Sequence, residues 1–311
     1  MIKRIGITAL ICILVYILGI YIHSRTIQQD WPSETSEINI PCTVDDKIQK
    51  AMVYFSSKKN KPLIVSLHTW GGNYLQRDSI SILAIAKDYN YIHPDFRGKN
   101  NHIDACCSDK VISDIDDAIQ FMIEENNANV NEIYIIGASG GGYATLCTYM
   151  KSKFSAKKYA SWAAISDLQE WYRHIVLSNY NYQTDITNCI PNNDYNSRSP
   201  LYWNNTLITK RTSSIDLYAG INDGNSGSVP YTHSINFYNK ILNAHNVIDD
   251  NLYISEKEII QLSKQNKVHE TYGKIQNRAI ILRKKTSFVN ITIFEGGHEI
   301  LIPFAFDNLL Q

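Results

Sequence analysis

Ser139 lies in the stretch IYIIGASGGGYATL (133–146), between Gly137-Ala138 and three successive glycines, Gly140 to Gly142. An apolar run enters the first glycine, and helical spacing resumes after the last. A serine framed as G-x-S-x-G between a strand and a helix stands on a sharp turn with its hydroxyl exposed. The helix behind it offers free N–H groups to developing negative charge. That is the chemistry of a nucleophile. A glycine-rich phosphate loop is the competing reading, but the chain has neither G-x-x-x-x-G-K-[ST] nor G-x-G-x-x-G.

A serine hydroxyl needs a base. Of nine histidines, His298 alone follows the last strand-like run, in FEGGHE, where Gly296 and Gly297 let the loop curl back over a sheet. The order serine, acid, histidine then puts the acid between them. Asp223, in DLYAGINDGNSGSVP (216–230), follows a strand within a glycine-rich loop and could accept the imidazole N–H. An Asx-turn is its alternative role, and Asp167 is its rival for the acid. SLHTWGGN (66–73) ends another strand, so the backbone N–H groups of Trp70 and Gly140 are the expected oxyanion donors. His68 is expected to tie that loop down rather than act as a base.

Substrate contacts are less defined. Residues 168–211 read as a lid-like insertion that holds Trp171, Tyr172, Tyr180, Tyr182, Tyr195 and Trp203 among amide side chains. Aromatic faces beside amides suit sugars; packing of the lid onto the body is the competing reading. Trp171 and Tyr172, with His68 and Arg97, are the candidate substrate contacts. Arg97 and Arg198 would meet an anionic substrate or close structural ion pairs.

These residues need a scaffold. EINIPCTV and KAMVYFS read as an antiparallel pair. KPLIVSLH and NEIYIIGAS are continuous apolar runs, the mark of strands buried on both faces. Between them lie SISILAIAKDYN, read as a helix, and YIHPDFRG, a short strand. Helical spacing marks Val111, Ile112, Ile115, Ala118, Ile119 and Met122, and a further helix follows Ser139. The strands KYASWAAIS, SIDLYAG and FVNITIFEG follow, with a helix over about 232–243 and another from HEILIPFAF. A charged segment at about 247–286 contains a helix opened by the capping box Ser255-x-x-Glu258. Strands alternating with helices predict an α/β fold with a mostly parallel central sheet and helices on both faces. Sites in such sheets form at the carboxyl ends of strands.

The chain has 311 residues, 44% hydrophobic and 19% charged, with zero net charge, so it can bury a large core and has no basic signature for nucleic acid. No internal repeat is visible. MIKR precedes an uncharged run over 5–22, long enough to cross a bilayer. It is read as an N-terminal signal anchor (1–24) with Lys3 and Arg4 inside, followed by a linker (25–36) and a catalytic domain (37–311) outside the cytoplasm. A cleaved signal peptide and secretion are the alternative. Cys42, Cys106, Cys107, Cys147 and Cys189 follow the run; their pairing cannot be read from sequence, and Cys106-Cys107 lacks zinc-site spacing. No metal or cofactor is called for.

From about residue 45 onward the chain resembles α/β-hydrolases of the prolyl oligopeptidase-like type. LHTWGG, PDFRG, GASGGG, RSPL, INDGNSGSVP and FEGGHE occur in that family's order and spacing. The resemblance implies a serine hydrolase with the triad Ser139, Asp223 and His298. HTW stands where the family more often has H-G-x, and a linker and an apolar run stand where the family's peptidases carry a propeller. The expectation is an extracytoplasmic hydrolase of acyl esters, including acyl groups on carbohydrate. A serine peptidase, an acyltransferase and a non-catalytic binding protein are the alternatives.

Overall fold

The computed structural model describes residues 31–126, 128–264 and 272–311. Ten strands make one sheet: β1 (Ser36–Pro41), β2 (Ile48–Tyr54), β3 (Leu63–Leu67), β4 (Asn90–Pro94), β5 (Ile133–Ala138), β6 (Lys158–Trp162), β7 (Ser214–Gly220), β8 (Lys274–Ile275), β9 (Arg278–Lys285) and β10 (Val289–Phe294), in the order β1-β2-β4-β3-β5-β6-β7-β10-β9-β8. The six strands from β4 through β10 pair in parallel, and β1, β2, β8 and β9 join antiparallel on either side. This is the α/β-hydrolase arrangement. The apolar runs read as doubly buried strands are so: every residue of β3 is buried, and every residue of β5 except Ala138.

The helices are α1 (Ile80–Ala86), α2 (Asp109–Asn126), α3 (Gly140–Lys151), α4 (Leu168–Leu177), α5 (Gln183–Cys189), α6 (Thr232–Ala244), α7 (Glu256–Lys264) and α8 (Ile302–Leu309). Successive strand residues face opposite sides of a sheet. On β6, Ser161 donates its hydroxyl to the Gly142 carbonyl of α3, while Trp162 packs on Phe304 of α8. Helices therefore cover both faces, and this double cover keeps the parallel strands apolar. The stripe predicted for α2 is buried throughout. Residues 34–311 form one compact unit.

Two departures from the sequence reading are informative. Among the described residues of segment 247–286, a 3₁₀ turn at Asp250–Leu252 precedes α7, which opens with the expected capping box: Ser255 N donates to Glu258 Oε2 at 2.8 Å, and Glu258 N to Ser255 Oγ at 3.3 Å. The segment's end is the β8–β9 hairpin, where the apolar residues Ala279 to Leu282 are enclosed by Arg278 and Arg283-Lys284-Lys285, which hid the strand in the charge pattern. The lid-like stretch is more ordered than its polarity suggests. It holds α4, α5 and several 3₁₀ turns, and Cys189, the last residue of α5, is disulfide-bonded to Cys106 in the loop after β4. Cys42, Cys107 and Cys147 are free and buried. The expected membrane segment (1–24) lies outside the described residues; among those described, no helix is long and apolar enough to cross a membrane.

Candidate active site

Ser139 joins β5 to α3 with a positive φ of 57° and ψ of −119°, a strained turn for a residue with a side chain. It is held from both sides: its N–H donates to Trp162 O at 2.9 Å, and its carbonyl accepts from Tyr143 N at 2.8 Å. A β-carbon on Gly137 would strike the backbone of Gly141, and one on Gly140 would strike the backbone of Trp70. Glycine at 137 lets β5 run close against the start of α3, and glycine at 140 lets the loop after β3 press onto that start. The first N–H groups of a helix have no intrahelical acceptor. The Gly140 amide is therefore free to act beside that of Trp70.

Asp223 and His298 come from loops after β7 and β10, neighbouring parallel strands. Asp223 is buried. Its Oδ1 accepts from Gly224 N and Val229 N, each at 3.1 Å, and its Oδ2 lies 2.8 Å from His298 Nδ1. With Asp223 as acceptor on both oxygens, Nδ1 carries the hydrogen, and Nε2 is left with its lone pair. Ser139 and His298 line one cavity of about 360 Å³, with Thr69, Tyr182, Ser228 and Glu299 among its other walls. A hydroxyl at a helix N-terminus, beside an imidazole oriented by a buried carboxylate, can attack a carbonyl and pass its proton on.

The rival acid has other work. Asp167 is the N-cap of α4, where Oδ1 accepts from Gln169 N and Glu170 N and Oδ2 accepts the Tyr202 hydroxyl.

None of the four candidate substrate contacts is among the residues lining the cavity at Ser139. His68 is buried, stacked 3.8 Å from Phe96, with its ring nitrogens 2.9 Å and 2.8 Å from the carbonyl oxygens of Thr69 and Asp95. It fastens the β3 loop to the β4 loop, as its expected tethering role requires, and burial pushes its pKa down. Arg97 is closed between Asp45 and Asp114, with four N–H···O contacts of 2.7–3.0 Å and a side chain only 6% exposed. It holds the Asp45 carboxyl down at about 2 and has no face for an anionic substrate. Arg198 donates to the Ile103 carbonyl. Trp171 is buried, with its indole N–H on Ser228 O. Tyr172 packs on Tyr195. Sequence reasoning noted Tyr182 only as one lid aromatic and missed Ser228 and Glu299, because their place beside Ser139 depends on how distant loops fold back. Among the described residues no group of His, Cys, Asp and Glu could hold a metal ion.

Residues 76–281, well over half of the chain, match the prolyl oligopeptidase family. The chain belongs to the prolyl oligopeptidase family. That membership places it among the family's serine hydrolases. No curated protein matches it. Solved structures with the same fold include an acylaminoacyl peptidase from Pyrococcus horikoshii, at 17% identity and a TM-score of 0.60, covering 88% of this chain and 39% of that one. A puromycin-hydrolysing peptidase from Mycobacterium tuberculosis aligns at 14% identity and a TM-score of 0.56, covering 88% of this chain and 37% of that one. Prolyl oligopeptidase B from Galerina marginata aligns at 16% identity and a TM-score of 0.54, covering 70% of this chain and 32% of that one. This family member thus spans two fifths or less of the length of these structures.

Proposed function

We propose that this chain is a serine peptidase acting on the acyl bonds of small peptides or acylated amino acids. The observation that carries the reading is the Asp223–His298 pair at 2.8 Å, facing a cavity shared with Ser139 in a chain of this family. Ser139 Oγ attacks the carbonyl carbon while His298 Nε2 takes the hydroxyl proton. The amides of Gly140 and Trp70 hold the oxyanion; one such donor is worth roughly 2.7–4 kcal/mol of barrier. His298 returns the proton to the leaving amine, and water then clears the acyl-enzyme by the same steps in reverse order. Family membership favours amides over the carbohydrate esters suggested by the lid aromatics. The packing of Trp171 agrees, since its buried ring is not offered to a sugar.

We also propose that the catalytic domain works in an oxidising compartment outside the cytoplasm. The Cys106–Cys189 bond supports this, as does the apolar run over 5–22, which suits a membrane anchor.

The reading is tested by fluorophosphonate labelling with peptide mapping, followed by matched amide and ester substrates. Label on Ser139, loss of turnover by several orders of magnitude in Ser139→Ala, and turnover of amides are expected. Full turnover by the Ala variant would end the reading. Turnover of esters alone would return the function to an esterase.

A further inference from the structure

We propose that Tyr182 sets the size of the acyl group accepted at Ser139, restricting the enzyme to small acyl side chains, and that the Cys106–Cys189 bond helps to hold it in place. This deepens the serine-hydrolase reading and rests on it.

The acyl group stays bonded to Ser139 between the two half-reactions, so it must fit the cavity that Ser139 and His298 line. That cavity, about 360 Å³, is near the lower end of the range for ligand pockets. Ala138, Ala163 and Ser228 contribute little bulk to its walls. Besides the catalytic imidazole of His298, the one aromatic ring in its lining is Tyr182, which belongs to the lid and stands immediately before α5.

That ring has a backing. It packs on Trp171, with centroids 5.6 Å apart, and Trp171 packs edge-on against Trp70 at 4.6 Å. The Trp171 indole N–H is fixed on Ser228 O at 2.8 Å. Trp171 is 1% exposed and Trp70 3%, so the ring behind Tyr182 has no room to retreat. At the far end of the short helix, Cys189 is bonded to Cys106, 83 residues away in sequence. α5 is thus held at its N-cap by packed rings and at its last residue by a covalent link. A wall held in this way selects by exclusion: a larger acyl group must displace Tyr182 against a packed core.

The test is kcat/KM on a series with one leaving group and a growing acyl side chain: alanyl, leucyl and phenylalanyl p-nitroanilides. The wild type should prefer alanyl. Tyr182→Ala should raise the phenylalanyl-to-alanyl ratio at least tenfold, the range that a change in pocket size commands. Tyr182→Trp should lower the leucyl-to-alanyl ratio. The double variant Cys106→Ser, Cys189→Ser should shift the ratios in the same direction as Tyr182→Ala, by less. Stoichiometric fluorophosphonate labelling of each variant shows that it is folded and that Ser139 is reactive. Unchanged ratios in labelled Tyr182→Ala and Tyr182→Trp would overturn the size role. An unchanged ratio in the labelled cysteine double variant would overturn the clamp. Failure of the wild type itself to label would overturn the underlying reading instead.

Discussion

The indole N–H of Trp171 donates to the carbonyl oxygen of Ser228 at 2.8 Å, fastening lid helix α4 to the loop that carries Asp223. The lid and the acid loop therefore share an anchor. Trp171→Phe keeps most of the packing and orphans the Ser228 carbonyl, for an expected loss of about 1–3 kcal/mol. Trp171→Ala also removes the ring and should cost about 3–5 kcal/mol. Urea unfolding of the two variants checks both terms: Trp171→Phe as stable as the wild type would show that the hydrogen bond is worth nothing, and Trp171→Ala no less stable than Trp171→Phe would show that the site collapses freely around alanine.

Asp223→Asn tests the acid. The amide keeps the shape of the side chain but offers His298 the wrong hydrogen-bonding partner, and turnover should fall by ~10⁴. Asp167→Asn should leave kcat near that of the wild type. Asn is itself a good N-cap, so α4 should stay folded, and the loss should be confined to the Tyr202 contact. The opposite ranking of kcat would move the acid to Asp167.

Arg97→Met should be destabilising well beyond an ordinary surface change. It leaves Asp114, whose side chain is 1% exposed, without its charge partner. Stranding a buried charge in this way costs about 3–5 kcal/mol. Substrate affinity of the folded fraction should not change, because Arg97 is closed away from the cavity. A raised KM without a shift in the unfolding midpoint would return Arg97 to the substrate.

Acid should weaken the fold between pH 6.5 and pH 4. His233 is fully buried, and its Nδ1 accepts from Ser166 N at 3.3 Å and Asp167 N at 3.4 Å, which requires the neutral ring. Burial pushes its pKa down to about 4. Between those pH values the unfolded chain binds a proton that the folded chain does not, so stability falls as the pH drops, by about 3 kcal/mol for this group. His93, also pushed down to about 4 by burial, acts in the same direction. Urea midpoints at pH 7 and pH 4.5 measure the loss. His233→Gln, whose amide oxygen can accept the same N–H groups, should flatten the slope, and an equally steep slope would remove His233 as its source.

The residues expected to do the chemistry were legible because each sits at a strand exit with local glycine signatures: Gly137 and Gly140 around Ser139, Gly224 and Gly227 around Asp223, Gly296 and Gly297 before His298. The alternation of strands and helices gave the sheet for the same reason, since periodicity is local. What was not legible is set by distant contacts. Arg97 looked available for an anion because Asp45 and Asp114 lie 52 and 17 residues away. Cys106 and Cys189 are adjacent only once the lid has folded over the β4 loop. Trp171 and Tyr182 look alike as lid aromatics, and only packing separates the buried anchor from the cavity wall. β9 was masked by the basic residues around its apolar centre.

The two ends of the sheet bear on how the protein behaves at high concentration. An unpaired strand edge is a template for joining a second chain, and long, flat apolar edges seed aggregates. Here the apolar parallel strands are all interior. One outermost strand, β1, is mostly exposed, ends in Pro41 and carries Glu37 in an ion pair with Lys50. The other, β8, is two residues long. A neighbouring molecule would find at one edge a strand interrupted by charge and proline, and at the other a two-residue strand beside a β9 that ends in Arg283, Lys284 and Lys285. The charged flanking strands thus act as guards of colloidal solubility for a core that would be prone to self-assembly if it were laid bare.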